Sequence, residues 1–288
     1  MEIVDGSLPT FIGVGVMKSG TTWISECLRQ HPDVYVSDNK ELHFFSNNFS
    51  KGLEWYSGNF SDGKQFKVRG EYSITYMDSS TTPQRILTTL GVDTKIIICL
   101  RDPIERLVSH LKHILRNSGN GKYPTLNLGN IVLEEFNRVT TDYPTLLNRG
   151  LYEEMVNEYI SVFGEQNVLI LHHSDIESKP EFVVKRLFGF LNVDDEFVPS
   201  VLNKTVSKGI VPRHLLIESL RRKIYLWSKK NSPKLIHLLR TIRVTSLLRK
   251  VNAKEINIKL DGQVVDFLED YYSYYPTFVR SLKQRGLL

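Results

Sequence analysis

Thr10-Phe-Ile-Gly-Val-Gly-Val-Met-Lys-Ser-Gly-Thr-Thr-Trp23 joins an apolar run to a short polar loop and then to an amphipathic segment. Residues 11–17 have the length and the β-branched content of a buried parallel strand. The run stops at Lys18-Ser-Gly-Thr-Thr22. Beyond it Trp23, Ile24, Cys27 and Leu28 fall on one side of a helix, and Ser25, Glu26 and Arg29 on the other. Strand, small-residue loop and helix start together predict an anion cradle. Gly20 lets the backbone come close, the first N–H groups of the helix face outward, and the helix dipole favours negative charge there. Lys18 adds a point charge, Thr21 and Thr22 add hydroxyls, and the loop reads as a phosphate site. A nucleoside-triphosphate loop carries its lysine after the glycine, next to a hydroxyl that holds magnesium. Here Lys18 precedes Gly20, which favours a metal-free phosphate cradle over that motif. An ordinary strand-to-helix turn is the competing reading of this stretch alone.

Working outward, short strands are expected at 34–36 and 67–73, and buried strands at 95–100 and 167–171. Helical patterns occupy 52–56, 83–90, 103–110, 150–163 and 181–191. Strands alternating with helices predict an α/β domain of three layers, helices on both faces of a mainly parallel sheet. The strand at 95–100 runs into Arg101-Asp-Pro-Ile-Glu-Arg-Leu-Val-Ser109. Asp102 is placed to cap the next helix, with Pro103 at its first position and Glu105 in its first turn. Residues 117–130 read as a loop. From 214 to 254 strand signals fade and basic residues accumulate from Arg221 to Lys250, with Glu218 almost the only acid among them. Helices with solvated basic faces are one reading of this stretch. A surface for acidic lipid or an anionic acceptor is the other. An aromatic-rich helix over 263–282 is expected to close the chain. The domain reading is a catalytic unit over 1–213, with 214–288 as a helical, basic C-terminal extension packed on it.

With 288 residues, 41% of them hydrophobic and 24% charged, the chain suits a folded globular protein rather than a disordered one. No apolar run reaches the ~20 residues of a membrane span. Met1-Glu-Ile-Val-Asp-Gly6 carries neither the basic nor the apolar region of a secretory signal. Cys27 and Cys99 both read as small core residues, so a reducing, cytoplasmic setting is expected, with peripheral membrane contact through 214–254 as its variant. No Cys/His cluster has metal spacing, so no metal site is expected. A net charge of +5 suits an anionic ligand, nucleic acid or a membrane surface without choosing among them.

Lys18-Ser-Gly-Thr-Thr-Trp23, Arg101 through Ser109 and Lys208-Gly209 together resemble the sulfotransferase family, which uses 3′-phosphoadenosine 5′-phosphosulfate (PAPS) and releases 3′-phosphoadenosine 5′-phosphate (PAP). The resemblance covers most of 10–213 and implies a P-loop-like sulfotransferase fold. It implies that Lys18, Ser19, Gly20, Thr21 and Thr22 hold the 5′-phosphosulfate, with Trp23 the aromatic that follows. It places Arg101 and Ser109 on the 3′-phosphate and Lys208 with Gly209 on a late loop closing over that phosphate and the adenine. Two separate grips, each a charge with hydroxyl or N–H donors, suit a nucleotide phosphorylated at both 5′ and 3′.

Lys40-Glu-Leu-His-Phe-Phe45 resembles the base segment of the carbohydrate-modifying, heparan-type branch. By that resemblance Glu41 takes the proton of the acceptor hydroxyl, Lys18 steadies the developing charge, and His43 orients substrate or assists Glu41. The implied acceptor is a hydroxyl of a sugar, glycolipid or lipid-like natural product, and no nucleic-acid partner is implied. Two departures stand out. Glu71 is followed by Tyr72 where the heparan-type branch usually has lysine, and the Lys-Ser-Gly-Thr-Thr-Trp form is nearer the cytosolic small-molecule branch. The histidine of that branch, in a Thr-His-Leu-Pro-like context, is missing, so the chain reads as a hybrid of bacterial type. The rivals are a nucleotide kinase, which needs magnesium ligands and a later lysine, and a non-catalytic anion- or membrane-binding module built on 214–254.

Overall fold

A computed structural model of the chain describes residues 8–117, 129–204, 210–212, 253–255 and 257–288. The chain divides into two compact units that interleave in sequence: 1–106, 147–207 and 272–288 form the first, and 107–146 and 208–271 the second. The expected boundary at 213/214 lies outside the described residues.

The first unit is built on five strands, β1 (Phe11–Gly15), β2 (Val34–Val36), β3 (Val68–Tyr72), β4 (Lys95–Leu100) and β5 (Val168–His172). They lie in the order β2-β3-β1-β4-β5, and every pairing is parallel. β1 is fully buried along its length, as a central strand flanked on both sides must be. Its alternate residues face opposite layers. Ile12 and Val14, with Ile96 and Ile98 of β4, join one core cluster, while Phe11, Ile97 and Cys99 join the other. Helix α1 (Thr21–Gln30) covers the second face through Trp23, Ile24, Cys27 and Leu28, which are buried. Each such side chain contributes about 1.5–3 kcal/mol on leaving water. After α2 (Gly52–Gly58) and α3 (Thr81–Leu90) come α4 (Pro103–Asn117), α5 (Leu133–Asp142), α6 (Thr145–Asn148) and α7 (Glu153–Phe163), then α8 (His173–Ser178) and α9 (Pro180–Phe190). Ile86 of α3 and Val156, Tyr159 and Phe163 of α7 pack on the first face, and Val183, Leu187 and Phe188 of α9 on the second. The three-layer expectation is met.

In the second unit β6 (Ile210–Pro212) and β7 (Ala253–Glu255) form an antiparallel pair. This corrects the expectation that 214–254 is helical at its end, because residues 253–255 find a strand partner about forty residues upstream. Of that stretch, 214–252 lie outside the described residues, as do 118–128 of the expected 117–130 loop. α5 had no counterpart in the sequence reading. It packs near α10 (Gly262–Tyr271), where the Phe136 and Phe267 rings lie 6.2 Å apart.

The expected single helix over 263–282 is two helices, α10 and α11 (Tyr275–Gln284). Pro276 sits in the first turn of α11, where its missing N–H costs nothing; inside a continuous helix it would break a hydrogen bond. α11 belongs to the first unit, and Tyr275, Phe278 and Leu282 enter its core.

Candidate active site

The cradle forms where β1 ends. Lys18 has φ 74° and Gly20 has φ 93°, so two left-handed residues bracket Ser19 and turn the chain into α1. Gly20 is the N-cap, no side chain caps the helix, and its first turn holds no acid. The positive end of α1 is therefore left open to an anion. A Cβ at Gly20 would lie 2.8 Å from Ile176 Cδ1 and 3.3 Å from His173 Cδ2, which explains the bare backbone there. Ser19 is fully buried and its Oγ has no hydrogen-bond partner among the described residues, an orphaned hydroxyl within the loop. The Cys99 thiol donates to the Ser19 carbonyl at 2.8 Å, fastening the loop to β4. Both cysteines are buried core residues, and burial pushes the Cys27 thiol up to about 12.

Trp23, placed with the nucleotide set by resemblance, is a packed residue in this structure. Its ring lies in the core beside α9, and its indole N–H donates to the Val201 and Leu202 carbonyls, each at 3.3 Å. With ring and donor both engaged, it anchors α1.

Arg101 leaves the end of β4 and reaches the cradle directly. Its Nη1 donates to the Lys18 carbonyl at 3.2 Å and its Nε to Glu105 at 3.2 Å. Two cationic residues more than eighty positions apart are thus neighbours. Asp102 caps α4 as expected, accepting from the Ile104 and Glu105 N–H groups at 3.0 and 2.9 Å. Ser109 is half-buried on α4, within the second unit. Lys208 and Gly209 lie outside the described residues.

The segment carrying Glu41 also meets the cradle. Lys40 Nζ donates to Thr22 Oγ1 at 3.3 Å. Glu41 and His43 have φ 58° and 50°, left-handed values that cost a side-chain-bearing residue about 1–3 kcal/mol each. His43 Nε2 stands 3.5 Å from Glu41 Oε2, and its Nδ1 stands 2.8 Å from Thr75 Oγ1, which is in turn 2.7 Å from Ser46 Oγ. One face of the imidazole is therefore fixed by hydroxyls while the other addresses the carboxylate. The Glu41 and His43 side chains are 29% and 26% exposed, open enough for a substrate to reach.

Three residues near these groups have roles that the sequence reading does not assign: Glu71, marked there only as the residue before Tyr72, Arg149 and His173. Glu71, on β3, is 1% exposed and accepts from Ser73, Tyr76 and Tyr56 hydroxyls and the Leu42 N–H. Burial pushes its carboxyl above the ordinary range, and these hydrogen bonds oppose the rise. The available signal was an acid inside a strand pattern, because a buried charge must be paired. Arg149 bonds both carboxylate oxygens of Asp78 and places Nη1 2.6 Å from the sulfur of Met17, beside Lys18. His173 sits against Gly20, and burial followed by the Arg101 charge holds its imidazole below the ordinary range.

Tyr72, the departure noted above, turns inward. Its hydroxyl donates to the Gly15 carbonyl at 3.0 Å, and its ring lies where a Cβ on Gly13 would be, 2.0 Å from Cδ2. It thus braces the end of β1 and presents no charge.

The Sulfotransferase domain family matches the chain over residues 8–273. The membrane-associated sulfotransferase kil1 of Dictyostelium discoideum is 26% identical over 320 aligned residues, covering 81% of this chain and 65% of that protein. The human heparan sulfate glucosamine 3-O-sulfotransferase 3B1 is 28% identical over 186 residues, covering 65% of this chain and 46% of that protein. The chain therefore spans less than two thirds of the length of either relative. Among solved structures, a sulfotransferase from Alicyclobacillus acidocaldarius is 26% identical with a TM-score of 0.58, covering 81% of this chain and 96% of that one. A cradle at the end of β1, joined by Arg101 from the end of β4, lies within a family match that runs nearly end to end, and the chain belongs to the sulfotransferase family.

Proposed function

We propose that this protein transfers a sulfuryl group from PAPS to an acceptor hydroxyl by in-line displacement, with Glu41 as general base. The observation that carries the reading is the contact of Lys40 with Thr22, which sets the Glu41–His43 pair beside the cradle. The residues present fit the nucleotide. An open helix start, an orphaned Ser19 hydroxyl and the Lys18 and Arg101 cations suit one phosphorylated ligand better than any neutral one. PAPS supplies the sulfuryl group and a phosphate that departs with the electron pair of the broken sulfur–oxygen bond.

Lys18, Ser19, Gly20, Thr21 and Thr22 hold the 5′ end. Arg101 holds the 3′-phosphate, with Ser109 and the Lys208-Gly209 loop assigned there by resemblance. Glu41 removes the acceptor proton as its oxygen becomes nucleophilic, and His43 orients that carboxylate. Lys18 and the N–H groups at the start of α1 stabilise the charge left on the departing phosphate, a task of positioning and electrostatics as in phosphoryl transfer. The heparan sulfate glucosamine relative supports a carbohydrate hydroxyl as acceptor. The membrane-associated relative supports a glycolipid or a peripheral membrane site, reached through the basic stretch 214–254. Among the described residues no helix is long and apolar enough to cross a membrane.

The test combines calorimetric PAP binding in the absence of magnesium with sulfate transfer from labelled PAPS to a panel of sugars, glycolipids and heparan sulfate oligosaccharides. Magnesium-independent PAP binding and label transfer are expected. Failure to bind PAP breaks the reading, and magnesium-dependent ATP binding in its place favours a kinase.

A further inference from the structure

We propose that Glu71 is a positioning residue that holds Glu41 and His43 in place through a buried hydroxyl relay. This inference deepens the reading of Glu41 as base and rests on it.

Residues 41–46 belong to no strand or regular helix, so their backbone groups have no ladder to join. Three of their N–H groups instead converge on one carboxylate. The Leu42 N–H donates to Glu71 Oε2 at 3.3 Å. The His43 N–H donates to Ser73 Oγ at 3.0 Å, and Ser73 passes its own hydrogen to Glu71 Oε2 at 2.6 Å. The Phe45 N–H donates to the Tyr76 hydroxyl at 3.3 Å, and Tyr76 donates to Glu71 Oε1 at 2.5 Å. Tyr56 supplies a fourth donor to Oε1 at 3.1 Å.

The donor count selects the residue type. A carboxylate offers about four lone-pair sites and no donor, and four hydrogens point at this one. Ser73 and Tyr76 each give one hydrogen to Glu71 and take one from the backbone, so each hydroxyl is used in a single sense. Every relay member is buried: Glu71 at 1%, Ser73, Tyr56 and Tyr76 at 0%. Water cannot easily substitute for a missing partner in such a place.

The relay also accounts for the left-handed residues. Glu41 and His43 flank Leu42, whose N–H is tied directly to Glu71, and both adopt conformations that side-chain-bearing residues avoid. A fixed buried acceptor below Leu42 and a hydroxyl below His43 over-determine the backbone there. This turns the two side chains toward each other at 3.5 Å. The cradle's own ties run through β1, α1, Cys99 and Arg101, so the relay acts chiefly on the proton-transfer side.

The test uses Ser73→Ala and Tyr76→Phe, each deleting one relay hydroxyl while leaving the carboxylate, with Glu71→Ala as the more severe change. Amide hydrogen exchange is read residue by residue, alongside PAP affinity by calorimetry and labelled transfer from PAPS to a heparan sulfate oligosaccharide. Exchange at His43 in Ser73→Ala, and at Phe45 in Tyr76→Phe, is expected to rise about tenfold or more above any rise at β1 and β4 amides. Turnover is expected to fall with PAP affinity within about twofold of wild type. Uniform acceleration of all amides, or unchanged exchange at His43 and Phe45, overturns the relay. So does full turnover in both hydroxyl variants when Glu41→Gln is inactive. Full turnover in Glu41→Gln breaks the base reading instead, while the exchange data still judge the relay. If Glu71→Ala does not fold, the two hydroxyl variants decide alone.

Discussion

Residues 16–23 and residues 40–46 lie side by side and both leave regular structure, yet they are held by opposite means. The cradle is framed by what flanks it in sequence, a buried strand before, a helix after and two left-handed residues between, and it is fastened from afar by Cys99 at the Ser19 carbonyl and Arg101 at the Lys18 carbonyl. The segment at 40–46 is itself neither strand nor helix. Its backbone is tied to side chains some thirty residues away on β3 and the turn after it. The cradle answers to an anion because helix starts do so generically. Under the proposed base reading, residues 40–46 depend on one buried carboxylate and the three hydroxyls that bond it. The turn of the cradle is therefore set by its neighbours in the chain and fastened by remote contacts, whereas the backbone of residues 41–46 is set by remote packing.

The largest effect that would break this contrast is on chemistry. Glu41→Gln is expected to lower turnover about 10²–10⁴-fold while PAP affinity stays at the wild-type value. Comparable turnover, measured with labelled PAPS, would move the base elsewhere and leave the relay to be judged by hydrogen exchange.

On the cradle side, Lys18→Ala and Arg101→Ala should each weaken PAP binding by about 1.5–3 kcal/mol, the usual worth of a charged hydrogen bond. Calorimetry showing unchanged affinity in both would take the nucleotide out of the cradle.

Tyr56→Phe sharpens the comparison at a smaller scale. It deletes one of the four donors to the buried Glu71 carboxylate and should destabilise the fold by about 1–3 kcal/mol, read from urea unfolding. PAP affinity should not change, because the cradle takes no support from Tyr56. A matching loss of affinity would mean that the two regions are mechanically coupled.

The smallest expected effect is on pH dependence. Burial holds His172 below its ordinary value of 6.5, outweighing the pull of Asp175 in the other direction. The unfolded chain therefore binds a proton there that the folded chain refuses. The stability this imidazole contributes is complete above pH 6.5 and is lost as pH falls through the lower folded value. His172→Gln should flatten the decline in urea midpoint between neutral and mildly acidic pH. An unchanged slope would assign the decline to other groups, His173 first among them.

Much of the nucleotide side was legible from residue order. The apolar run before Lys18, the amphipathic run after Thr22 and the Asp102-Pro103 cap are all local signals, and the observed elements begin within a few residues of where those signals place them. The break between α10 and α11 was also marked, by Pro276, although an aromatic helical pattern on both sides masked it. Tyr72 was visible as a departure but not as a brace, because its role depends on a bare Gly13 on the neighbouring strand. Trp23 followed a phosphate loop in sequence, yet helix periodicity turns it toward the core and away from the anion.

Residue order alone determined the βα cradle, the parallel α/β class and the two cationic motifs, because strands, caps and helix starts arise from neighbours along the chain. Only the tertiary structure decided that Arg101 reaches the Lys18 carbonyl, that Lys40 reaches Thr22 and that Glu71 gathers the backbone beneath Glu41 and His43. Those contacts join residues 18 to 83 positions apart. The contact to Glu71 forms because burying an acid on β3 obliges the fold to bring hydrogen-bond donors to it, and the other two form because the parallel sheet brings the ends of distant strands together.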